Sequence, residues 1–138
     1  MKKKIITSLA ILFTILFAVS SCKKDAMAEE VDLAESVQGT YEVYYIMTQG
    51  QPYNLPQDSL SATIFVNRTD KNVVTISSRT IVAGVSDDDE LGSVQLKKES
   101  STTVMYSGSD KLGTISNNEL EISGKDNQGH DLIIKARK

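Results

Sequence analysis

The chain has no tryptophan, two prolines, one histidine and one cysteine in 138 residues. Each shortage removes a class of chemistry. A single cysteine, Cys22, cannot form a disulfide within the chain, so the folded part must be held by its core. A single histidine, His130, supplies no His-based metal cluster, and its place after Gly129 reads as an exposed turn. No Gly-x-Ser-x-Gly elbow, P-loop or Rossmann glycine pattern occurs. The serines and threonines sit in strand and turn positions that suit β-propensity. The sequence therefore predicts a protein that is not an enzyme and needs no cofactor.

Long apolar runs are also absent, with one exception. Lys2, Lys3 and Lys4 precede an apolar stretch from Ile5 to Val19, broken only by Thr7, Ser8 and Thr14. Its 15 residues fall short of the ~20 that span a bilayer as a permanent helix. The segment thus reads as a cleaved secretory signal helix. It closes on Val19-Ser20-Ser21-Cys22, which resembles the lipobox of a bacterial lipoprotein signal peptide: an aliphatic residue, two small residues and the cysteine that takes the lipid. The resemblance implies cleavage after Ser21 and acyl chains on Cys22. Two or more chains hold a protein on a membrane, where one binds only marginally. The expected home is the cell envelope, on the periplasmic face of the outer membrane or at the cell surface. Cys22-Lys23-Lys24-Asp25 is also similar to the start of exported lipoproteins of the Bacteroidetes.

Loss of residues 1–21 removes three lysines and leaves 12 basic against 18 acidic side chains, a net charge near −6. Basic clusters are missing from the remainder. A nucleic-acid partner is excluded, because phosphate neutralisation needs clustered lysine and arginine. Charge attraction to an anionic membrane is disfavoured too, so the membrane contact falls to the lipid on Cys22. Residues 22–38 form the lipidated cysteine, a polar tether and a short helical lead-in, in which Val31, Leu33, Ala34 and Val37 recur at near-helical spacing.

From Gly39 to Lys138 the period becomes two. Tyr41, Val43, Tyr45 and Met47 alternate with Glu42, Tyr44, Ile46 and Thr48, and further runs follow around Leu60–Val66, Val73–Ser78, Val94–Lys98, Val104–Tyr106, Leu112–Ile115, Leu120–Ser123 and Leu132–Ala136. A short strand is expected over Ile81, Ala83 and Val85, ended by the acidic stretch Ser86–Glu90, and a loop over Tyr53–Ser59. Short polar turns join the runs. Parallel pairing would need crossovers of a dozen residues, and none is available. The fold predicted is all-β: a small antiparallel meander of eight or nine strands, closed as a barrel, with a β-sandwich as the alternative.

The barrel's first and last strands resemble those of lipocalins and other calycins. In that family a Gly-x-Trp motif opens the first strand, and an arginine near the last strand packs across the tryptophan to close the base. Carried over, Gly39 allows the tight start, Tyr41 stands for the tryptophan and Arg137 stacks on it. An ordinary core tyrosine is the competing reading of Tyr41. The resemblance implies binding of a small apolar or amphipathic ligand, with Tyr45, Ile64, Val66, Leu96 and Ile134 facing the interior. The alternative is an interaction module, an accessory or inhibitory lipoprotein contacting a protein or glycan partner through its tyrosines and acidic face. Volume separates the two, since a cavity above ~300 Å³ favours a ligand and a filled core favours a partner.

Two lesser sites complete the reading. Asp87, Asp89 and Glu90 are oxygen ligands that calcium could use, against which four adjacent acids from Asp87 to Glu90 should repel and splay in a solvated turn. Asp58-Ser59-Leu60 is similar to the O-glycosylation acceptor of exported Bacteroidetes proteins and makes Ser59 a candidate modification site.

Overall fold

The computed structural model describes residues 30–138. The expected signal segment, the expected lipobox residues Val19, Ser20 and Ser21, and Cys22, the expected lipidation site, lie outside the described residues. The compact unit runs from Asp32 to Lys138. It therefore begins seven residues before Gly39, and the helical lead-in belongs to it.

A helix, α1 (Leu33–Val37), is followed by nine strands: β1 (Gly39–Thr48), β2 (Gln51–Asn54), β3 (Leu60–Asp70), β4 (Val73–Val82), β5 (Val85–Glu99), β6 (Thr102–Ser107), β7 (Asp110–Ser116), β8 (Glu119–Lys125) and β9 (Asp131–Arg137). The sheet is antiparallel, in the order β2-β1-β3-β4-β5-β6-β7-β8-β9, and β9 pairs again with β1. That last pairing closes eight strands into a barrel and rules out the sandwich. The ninth, β2, extends the sheet beside the second half of β1.

Turn chemistry fixes the registers. Gln49-Gly50, Ala83-Gly84 and Asn117-Asn118 each hold two residues at positive φ between directly paired strand ends, the type I′ geometry that matches strand twist. Two departures from the expected pattern follow. Gln51–Asn54 is a strand, because the Gln49-Gly50 turn returns the chain along β1. The expected short strand at Ile81–Val85 is instead a hairpin tip, with the turn at Ala83-Gly84 and the acidic stretch carried inside β5.

One end of the barrel is sealed. Leu33, Ala34 and Val37 of α1 join Tyr41, Val43, Ile64, Val66, Val74, Ile76, Val94, Leu96, Met105, Ile115, Leu120 and Ala136 in the core. Asp32 caps the helix, its Oδ1 accepting from Glu35 N at 2.8 Å, while Arg68 donates to Oδ2 through Nε at 3.0 Å and Nη2 at 2.7 Å. These bonds from Arg68 and from the Glu35 amide hold the Asp32 carboxyl below its ordinary range. Ala34 N donates to Lys71 O at 2.9 Å, tying α1 to the β3–β4 turn. Gly113 lets β7 and β8 meet, since a Cβ there would lie 1.9 Å from Glu121 O.

Candidate functional site

The interior is the first place to look for a ligand. Ile64, Val66 and Leu96 face it, with exposures of 2, 1 and 3%. They are packed against Tyr41, Ile76, Met105 and Leu120 rather than lining a space. Ile134 is half-buried and packs on the edge of this cluster, toward the end of the barrel away from α1.

Tyr45 lies outside the core, contrary to the simple alternation. β1 carries a bulge between Val43 and Tyr45 where it meets β9. Val43 pairs with the buried Ala136 and Ile46 with Ile134, so the extra residue, Tyr44, moves the inward set from Tyr45 to Ile46. The Tyr45 ring instead sits beside Lys135, its register partner, with Nζ 5.9 Å from the ring centre.

The closing group of the barrel also differs from expectation in its partners. Tyr41 is 1% exposed, and its hydroxyl donates to Val37 O at 2.6 Å, which anchors α1. Burial pushes its phenol up to about 12. The cation over Tyr41 is Lys138, with Nζ 5.1 Å from the centroid, whereas Arg137 stacks on Tyr44 at 5.3 Å. Alternation explains the exchange: Ala136 points inward, so Arg137 points out beside Glu42. Gly39 does permit a close approach. Its φ is +143°, and a Cβ there would lie 2.8 Å from Lys138 Cε.

The bulge creates a surface feature that the sequence did not announce. Tyr44 borders three surface grooves, the second of which reaches the core residues Val43 and Leu55. One of about 140 Å³ runs along Thr114, Leu120 and Lys135, and one of about 230 Å³ lies between Leu55, Pro56, Ala62 and Arg137. A third, of about 280 Å³, is formed with Tyr45, Ile133 and Lys135. Lys135 also approaches Glu121 at 3.4 Å. Flat aromatic faces beside a cation and a carboxylate suit stacking with hydrogen bonding at the rim, as a sugar ring or a peptide demands.

The polar candidates are placed as follows. Asp126 lies in the β8–β9 turn and accepts from Gln128 N and His130 N at 2.9 Å, and from His130 Nδ1 and Thr48 Oγ1 at 3.2 Å. Partial burial pushes its carboxyl up, but these bonds outweigh that and lower it. Asp126 thus ties Thr48 at the end of β1 to the β8–β9 turn, and His130 braces Asp126 within that turn. Asp87, Asp89 and Glu90 lie in a strand, not a turn. Asp87 and Asp89 pair with Thr80 and Ser78, Glu90 with Ser77, so Glu90 points to the opposite face and the three cannot converge on a cation. No group of three or more metal-ligating side chains is gathered among the described residues. Ser59 is exposed in the turn before β3, with its backbone oxygen bound by Ala83 N.

No protein-family model matches the chain, and no curated protein matches it. Among solved structures, a redesigned β-barrel is similar with a TM-score of 0.52 and 14% identity, over 80% of this chain and 98% of that one. At that identity the likeness concerns the fold alone: the chain is a closed, eight-stranded antiparallel β-barrel with one added strand.

Proposed function

We propose that the protein is an exported lipoprotein, held at the cell envelope by acyl chains on Cys22, whose barrel is a non-enzymatic interaction module. The observation that carries this reading is the interior. Ile64, Val66, Leu96 and Met105 fill it with side chains, and the grooves around Tyr44 open on the surface, one of them reaching in between β1 and β3 to Val43, Leu55 and Ala62. Each groove holds less than the ~300 Å³ at which small-molecule pockets begin. Tyr44 and Tyr45, flanked by Lys135 and Arg137, form the contact surface for a protein or glycan partner.

A photoreactive phenylalanine analogue at position 45 tests the surface in the native membrane. A discrete adduct is expected at position 45 and none at Asp110, the first residue of β7. Equal labelling at both positions contradicts the reading. Anchoring has its own test: Cys22→Ala should move the protein from the membrane to the soluble fraction.

A second reading keeps the small apolar or amphipathic ligand. It is favoured by a ring of half-buried apolar side chains toward the end opposite α1, Ile46, Leu60, Ala62, Leu112, Ile122 and Ile134. There the ligand would sit in the mouth rather than among Ile64, Val66 and Leu96.

A further inference from the structure

β5 is longer than the neighbour that follows it. It pairs with β4 from Val85 to Gln95, but with β6 only from Gln95 onward. Gly92, at φ +102°, and the register shift beside it mark the point before which β5 forms, on the outer side of β4, an arm free of β6, while β4 itself stays paired with β3 up to Val82. Every residue from Val85 to Leu91 is exposed. In an antiparallel strand alternate residues direct their N–H and C=O groups to opposite sides, so half of this run's backbone polar groups face no strand.

Natural proteins protect such an edge with charge, and this one carries Asp87, Asp88, Asp89 and Glu90. Protection alone does not account for the rest of the arm. Val82, Val85 and Leu91 are 55, 72 and 54% exposed, three of the five large apolar side chains so exposed among the described residues. Asp88 is paired with Arg79 at 2.7 Å across the hairpin, while Asp87, Asp89 and Glu90 make no ion pair among the described residues. A second copy of the chain would set these acids against themselves, and like charges directly opposite destabilise a sheet. An extended basic segment meets both needs, since its backbone completes the ladder and its alternate side chains reach the carboxylates.

We propose that the free edge of β5, Val85–Leu91, takes a lysine- or arginine-rich extended segment of another protein as an added strand. This goes beyond the tyrosine wall and stands whether or not that wall has a partner.

The test uses the full chain in non-ionic detergent micelles and a synthetic nine-residue peptide alternating lysine and valine. Hydrogen exchange of the Ser86–Leu91 amides should slow at least about tenfold with the peptide. Affinity should fall at least about tenfold with Asp87→Lys combined with Asp89→Lys, whose side chains are exposed. A peptide N-methylated at alternate residues keeps its charge but cannot complete the ladder, and should give no protection. If it binds and protects as well as the parent, the contact is plain charge attraction and the proposal fails. Absence of binding by the parent peptide also overturns it. So does protection that rises with protein concentration in the absence of peptide, which would assign the edge to a second copy. Should the double variant not fold, the two peptides on the native protein decide alone.

Discussion

The two ends of this barrel are built on opposite plans. At one, α1 lies over strand ends whose inner residues are almost wholly buried, and each tie is specific: Asp32 to Arg68, Ala34 to Lys71, Tyr41 to Val37. At the other, the inner apolar residues Ile46, Leu60, Ala62, Leu112, Ile122 and Ile134 are only half-buried, and the first part of β5 presents an exposed edge with acids along it. The difference separates two jobs that one closed sheet must do. The sealed end supplies the stability that no disulfide provides, and the open end can then carry exposed polar backbone and charge at little cost to the core.

The largest way to break this contrast is at Gly113. In Gly113→Ala the new methyl would meet the β8 backbone at Glu121, and a loss of about 3 kcal/mol or more is expected in urea unfolding. Next comes a matched pair of truncations. Met105→Ala, at 0% exposure, should cost about 2–5 kcal/mol, whereas Ile134→Ala, half-buried toward the open end, should fall below that range. Equal losses would abolish the distinction. Tyr41→Phe removes one buried hydrogen bond to α1 and should cost about 1 kcal/mol, read as faster amide exchange confined to the sealed end.

pH sharpens the same comparison from both sides. The folded carboxyl of Asp32 is lowered from 3.8, so its contribution is present above that value and is lost as pH falls through the lowered one. The folded phenol of Tyr41 is raised from 10.0 to about 12, so its contribution is present below 10.0 and is lost as pH rises toward about 12. Amide exchange should report α1 loosening in both windows, whereas the arm, whose Asp88 carboxyl is also held low by its bond from Arg79, should loosen in the acid window alone.

Much of this was legible in the sequence, and the failures are instructive. The all-β meander, its turns other than Ala83-Gly84 and the inward set Ile64, Val66, Leu96 and Ala136 follow from period-two alternation and from Asn and Gly at the turns. The short helix was legible from Leu33, Ala34 and Val37, though Val31, assigned to the same face, is 69% exposed. Tyr45 was misplaced because a bulge has no reliable signature, and one extra residue at Tyr44 reverses every later side chain on the strand. Asp87–Glu90 read as a turn because acids are depleted in strands. On a free edge the rule inverts, since charge there prevents unwanted pairing. The outward place of Arg137 was available from the inward place of Ala136, and the calycin-like pattern overrode it. The cation that reaches Tyr41 is one residue further on, Lys138.

The central claim is that the sealed half of the barrel is full and that recognition belongs to its exterior. Methyl NMR of Ile64, Val66, Leu96 and Met105, recorded in the full chain with and without a saturating apolar dye, tests it most directly. Unchanged core methyl signals, with any shifts confined to Ile133 and the outer wall, are the predicted result. Shifts at Ile64, Val66, Leu96 and Met105 would place the dye inside the barrel and contradict the account.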